Sequence, residues 1–137
     1  MTTKPELFYL LLTALLTGVL WIPVVIGYVK ARGPLTPETY KAGSSAALPH
    51  WVNRANRAHI NAVENLAPFA AVVVVGQGMG VSTATTAACA AVYFWARLAH
   101  AVIHISGFGR FWARTVAFAV AWGAFIAYAV VLLRHVG

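Results

Sequence analysis

Arg57, Asn61, Glu64 and Pro68 recur at spacings of four, three and four residues, so on a helix they form one stripe. Arg97, His100 and His104 form a second stripe by the same spacing. Arg114 adds a further cation near the start of a last apolar segment. Guanidinium, imidazole and carboxamide groups gathered in this way make a positive pocket rich in hydrogen-bond donors. Such a pocket suits a small polar anion carrying carboxylates. Other chemistries find less support. The chain has no aspartate, so neither a Ser-His-Asp arrangement nor paired carboxylates can be assembled from these stripes. His100 and His104 raise a metal site, with His59 or Glu64 as a third ligand, but the surrounding arginines disfavour a cation. No metal is expected. Cys89, flanked by alanines, reads as a small inert core residue, and as the only cysteine it forms no internal disulfide.

The elements that carry these stripes are apolar. Of the 137 residues, 61% are hydrophobic and 9% charged, against about 25% charged in a soluble domain. The composition predicts a single integral membrane domain. The net charge of +7 would suit nucleic acid in a soluble protein. Here the basic residues are scattered at helix ends, with no polar domain to present them, so nucleic-acid binding is excluded. A membrane span needs about 20 mainly apolar residues, and four segments qualify, over 6–29, 51–77, 82–105 and 110–133. The first is too long for the core of a signal peptide and is expected to be retained. Pro23 and Pro68 should each kink their helix. The long polar connection, 30–50, is either a structured lid or a solvated linker. GQGMGV (76–81) follows a membrane helix rather than a strand, so it reads as a tight turn and not as a phosphate loop. SGFG (106–109) is the other short turn. The basic residues cluster at the first loop and at the last turn. By the positive-inside rule, this places the first loop in the cytoplasm and both termini outside.

An ionisable side chain at membrane depth costs at least about 2.5–3.5 kcal/mol, so the stripes should face partners or a ligand. Counting outward from the GQGMGV turn, Glu64 and Arg97 fall at nearly equal depth, Asn61 falls level with His100, and Arg57 with His104. The spacing predicts a Glu64–Arg97 ion pair, because a buried carboxylate and a buried guanidinium need each other. Both stripes stop short of the GQGMGV turn. There the second and third helices read as wholly apolar or small, which argues against a proton or ion pathway.

Three segments, in order, resemble the membrane-associated proteins in eicosanoid and glutathione metabolism (MAPEG). RAHINAVENLAPF (57–69) resembles the second-helix signature, ARLAHAVIH (96–104) the arginine-led third-helix segment, and RFWART (110–115) the opening of the fourth helix. The resemblance spans nearly the whole chain and is to a bacterial-type member similar to microsomal glutathione transferase or prostaglandin E synthase. It implies an all-α, left-handed four-helix membrane bundle, a homotrimer, and a glutathione site between neighbouring subunits on the cytoplasmic side. Glutathione would be the co-substrate, a lipophilic small molecule the second substrate, and a bacterial inner membrane the location.

Carried over by position, Arg57, Asn61 and Glu64 match glutathione contacts, and Arg97 matches the arginine that pairs with that glutamate. His100 and His104 fall at contact positions where members carry His or Tyr, and Tyr. Lys30 or Arg32 would match the basic residue ending the first helix. Arg114 matches the arginine credited with stabilising the glutathione thiolate, and Thr115 the hydroxyl beside it; these two are the implied catalytic residues. Three departures stand out. His104 replaces a tyrosine, Ile60 stands where the prostaglandin E synthase branch has an arginine, and Asn65 stands where the leukotriene synthase branch has a tyrosine. They argue against either eicosanoid as substrate. The expected activity is therefore glutathione-dependent transfer or peroxide reduction on lipophilic substrates. A non-catalytic lipid- or ligand-binding scaffold of the same fold is the alternative.

Overall fold

The structure is a computed structural model, and it describes residues 4–38, 47–109 and 112–136. Five α-helices build four spans: α1 (Pro5–Val19) and α2 (Trp21–Arg32) together form the first, and α3 (His50–Gly78), α4 (Ala84–Ser106) and α5 (Ala113–Val136) form the others. All four are long and apolar enough to cross a membrane. Much of their large apolar surface points outward, Leu11, Leu15, Trp95, Val102 and Leu133 included. In water such a surface would be a liability; against lipid it is the expected one.

The first span is not one helix over 6–29. It breaks at Leu20. Pro23 has no N–H for the Val19 carbonyl, and its ring crowds that turn. Thr13 and Thr17, both buried, donate their hydroxyls back to the carbonyls of Tyr9 and Thr13, which also bends a helix. Pro68 behaves differently, since α3 runs unbroken through it. The Tyr93 hydroxyl donates to the Asn65 carbonyl at 2.8 Å in the turn that Pro68 disturbs. The Tyr93 ring stacks on Phe69, with centroids 3.8 Å apart. A neighbouring helix thus supports the backbone that the proline leaves short.

The GQGMGV turn is a helix cap. Gly80 takes φ 71°, its N–H bonds to the Gln77 carbonyl, and the Val81 N–H bonds to the Gly76 carbonyl. This is the double closure of a glycine C-cap, with Val81 buried behind it. Thr83 then caps α4, accepting from the Thr86 N–H while Thr86 accepts from the Thr83 N–H. The last helix begins three residues later than expected, at Ala113. Arg110, expected to open it, lies outside the described residues.

The centre is built from Phe69 and Val73 of α3, Ala90 and Tyr93 of α4, and Ala121 and Tyr128 of α5. α4 packs against α1, α3 and α5 and is the inner helix of the bundle. The end near the Gly80 turn is not wholly apolar or small. Glu6 is 0% exposed there. It accepts from the Ser82 hydroxyl at 3.0 and 3.1 Å and from the Thr86 hydroxyl at 2.5 Å. Glu6 lies in the first turn of α1 and against the N-terminal end of α4, where unpaired amides favour an anion. The Tyr128 hydroxyl and the Gln77 amide lie buried close together at the same end, and among the described residues neither makes a hydrogen bond of full geometry.

Candidate functional site

The opposite end of the bundle brings together the start of α3, the end of α4 and the start of α5. Helical spacing aims one face of α3 at α4, and the first contact made there is polar. Arg97 is only 4% exposed. Its Nη2 donates to the Asn61 side-chain oxygen at 2.8 Å and to the Asn61 carbonyl at 3.1 Å. Its Nη1 is buried without a partner. The expected Glu64–Arg97 ion pair is therefore not what the chain forms. Glu64 is exposed, and no ion pair joins the two among the described residues. The reason lies in the helical wheel. Asn61 faces α4, and three residues further on the wheel has turned Glu64 about 60° away, out of the bundle. Asn61, expected level with His100, is the residue that Arg97 reaches, so the contact lies about one turn from the expected rung as well as on another face.

Above Arg97, His100 is 5% exposed and wedged between two rings. His104 meets it edge to face at 5.6 Å, and Phe118 of α5 lies 6.0 Å away. The His104 Nδ1 is buried and unpartnered. A cavity of about 420 Å³ opens on this row, lined by Arg57, Ile60, Asn61, Glu64, His100, His104, Arg114, Thr115 and Phe118. It holds every expected contact residue except Arg32. Arg32 instead lies 5.2 Å over the ring of Tyr28 and lines neither this cavity nor its neighbour. Arg57, Glu64, Arg114 and Thr115 are exposed along the mouth, His100 is buried at the floor, and Arg97 lies behind it outside the lining. Among the described residues no three His, Cys, Asp or Glu side chains converge as a metal would require.

A second, larger cavity of about 1040 Å³ adjoins the first and shares Arg57, His104, Arg114 and Thr115 with it. Its other walls come from His50, Asn53, Arg54 and Asn56 of α3 and from the turn between α4 and α5, including Phe108 and Trp112. Trp112 is 79% exposed and is the only described non-glycine residue with positive φ, at 57°. Sequence reasoning did not reach Phe118, Trp112 or the fixed position of Arg54. An aromatic residue in an apolar run carries no mark of the cavity it will line. The Glu6 cluster was missed as well, although it left a signal. α1 and α4 start at the same membrane face, so Glu6 could have been counted against Ser82, Thr83 and Thr86.

Four apolar spans with a cationic, hydrogen-bonding cavity at one end fit an integral, multi-pass membrane bundle. The model of the MAPEG family matches residues 7–134, and the chain belongs to that family. Membership fits a membrane role in glutathione-related transfer or isomerisation, or as a scaffold, and members generally use glutathione. No curated protein matches the chain significantly.

Proposed function

We propose that the protein is a membrane-bound glutathione transferase or peroxidase that activates the glutathione thiol against lipophilic electrophiles or hydroperoxides. The observation that carries this is the convergence of Arg57, Asn61, Glu64, His100, His104, Arg114 and Thr115 on one cavity. The donor set fits the tripeptide. Exposed arginines suit its two carboxylates, the Glu64 carboxylate suits its ammonium group, and Asn61 and His104 in the lining offer polar groups to its amides. Glutathione supplies the nucleophile, a thiol whose ordinary pKa near 8.5 leaves little thiolate at neutral pH. Arg114 at the cavity mouth favours the charged form of that sulfur, and Thr115 adds a hydroxyl donor. Arg57, Asn61 and Glu64 hold the peptide so that the sulfur faces the lipid side. In transfer, the thiolate sulfur bonds to an electrophilic carbon as a leaving group departs or an activated double bond or epoxide opens, and the proton lost by the thiol neutralises the anion formed. In peroxide reduction, two glutathione molecules become the disulfide as the hydroperoxide becomes an alcohol and water.

The site is proposed to lie between subunits of a homotrimer. Such an arrangement covers the open mouth and gives Arg32 of a neighbouring copy access to it. The first loop is proposed to face the cytoplasm, in a bacterial inner membrane. The test is the ultraviolet difference spectrum on adding glutathione to the detergent-purified protein and to Arg114→Ala. A thiolate band in the parent that is lost in the variant supports thiol activation. Glutathione binding with no thiolate band and no turnover would leave a non-catalytic scaffold of the same fold.

A further inference from the structure

The last carbonyls of a helix have no partner within it. At the end of α4 three consecutive ones are met one by one. The Ser106 hydroxyl donates to the Ile103 carbonyl at 3.0 Å. The Gly107 N–H, at the left-handed cap, donates to the His104 carbonyl at 3.3 Å. Both of these donors belong to the turn itself. The third comes from another span, where the Arg54 Nε of α3 donates to the Ile105 carbonyl at 3.2 Å. The Arg54 guanidinium also lies on Gly107, where a Cβ would stand 2.9 Å from the guanidinium carbon. A cation at the negative end of a helix dipole strengthens such a contact. One side chain near the start of α3 thus ties down the end of α4.

The residues on either side of this tie belong to the thiol site. Arg57 lies one turn along α3 from Arg54, and His104 directly precedes Ile105. α4 and α5 make the most extensive helix contact in the bundle, so the end of α4 also sets where Arg114 stands at the start of α5. Arg54 itself does not line the smaller cavity. The charged and titratable groups that do are Arg57 and Glu64 of α3, His100 and His104 of α4, and Arg114 of α5. Arg54 can reach that cavity only through the backbone it holds or through its distant charge, and the two are separable by experiment.

We propose that Arg54 is a positioning residue, whose bond to the Ile105 carbonyl holds the end of α4, and with it His104 and Arg114, in register with Arg57. Its bearing on the sulfur rests on the glutathione reading above; the tie between the helices does not. The test compares the parent with Arg54→Met and Arg54→Gln, as full chains in nonionic detergent. Glutamine places an N–H at the same point along the side chain as the arginine Nε but without the charge, whereas methionine places a methyl group there. In Arg54→Met the pH midpoint of the glutathione thiolate band is expected to rise by about one unit, part of the roughly 1–3 units that a well-placed guanidinium supplies. The kcat with chlorodinitrobenzene, from which the thiolate displaces chloride, is expected to fall roughly ten- to hundredfold, the scale of loss from moving a reacting group by about 1 Å. KM for glutathione is expected to hold, because α3 still carries the peptide contacts. Arg54→Gln is expected to recover most of both losses. An unmoved midpoint in Arg54→Met, or an equal defect in Arg54→Gln, overturns the positioning role, while a thiolate band in the parent keeps the thiol reading. Gly107→Ala, which keeps the charge and crowds the guanidinium from the other side, serves where Arg54→Met fails to fold. It is expected to raise the midpoint too, and an unmoved midpoint there also overturns the proposal.

Amide hydrogen exchange without glutathione decides the case in which the parent gives no thiolate band. Faster exchange over residues 104–109 in Arg54→Met, restored in Arg54→Gln, supports the tie even where the thiol reading has fallen. Equal exchange in the parent and Arg54→Met overturns it.

Discussion

Replacing Asn61 by leucine should destabilise the bundle more than any change at Glu64. Leucine fills nearly the same volume but removes the oxygen 2.8 Å from Arg97 Nη2. Arg97, 4% exposed, keeps only the Asn61 carbonyl at 3.1 Å, and its Nη1 already lacks a partner. A hydrogen bond to a charged group is worth about 1.5–3 kcal/mol, and a buried donor left unmade costs the upper end of that range. A loss of about 2–3 kcal/mol is expected, or roughly 6–12 °C in Tm at about 3–4 °C per kcal/mol for a chain of this size. Glu64→Gln, at an exposed position, should stay within about 0.5 kcal/mol. The double variant Asn61→Leu/Arg97→Met removes charge and acceptor together. It should therefore be more stable than Asn61→Leu alone, because a buried polar pair replaced by apolar groups is often near neutral. The assay is thermal unfolding of the four proteins in one nonionic detergent, without glutathione. A Glu64→Gln loss as large as that of Asn61→Leu would restore the ion pair in place of the asparagine, and strict additivity of the double variant would refute the coupling.

Three further predictions rest on single contacts. Tyr128→Phe removes a fully buried hydroxyl that, among the described residues, has no hydrogen bond of full geometry and only the Gln77 amide near it, so stability should stay within about 1 kcal/mol, read as Tm. Gly107→Ala puts a Cβ against the Arg54 guanidinium at φ 76° and should lower stability by about 1–2 kcal/mol, read as Tm. Thr83→Ala deletes the cap of α4 and should cost about 1 kcal/mol in thermal unfolding, with glutathione affinity unchanged because the cap lies at the far end of the bundle.

Number and place of the spans were legible because twenty apolar residues in a row have few other uses. The gathering of Arg57, Asn61, His100 and His104 was legible too, since helical spacing places residues on a face and antiparallel pairing sets their depth. Direction within the face was not. Whether Arg97 reaches Asn61 or Glu64 depends on about 60° of rotation, which interhelical packing sets and single-helix spacing does not. Arg32 shows a second limit. Its place was inferred by resemblance, and the break at Leu20 turns α2 independently of α1, so counting along one ideal helix could not locate it. The Glu6 cluster was hidden because a lone glutamate in the first turn of a helix reads as ordinary dipole complementation.

Glu6 has a consequence for the order in which the bundle is made. Its hydroxyl partners are Ser82 and Thr86, which leave the ribosome only after the first two spans. Until then the carboxylate has water as its solvent, and α1 cannot sink to its final depth without stranding a charge. Early docking of α1 on α3 is therefore reversible, and arrival of the third span latches it. A chain truncated after α3 would hold its spans loosely, open to protease at the first turn, whereas one extended through α4 to Ser106 would be closed.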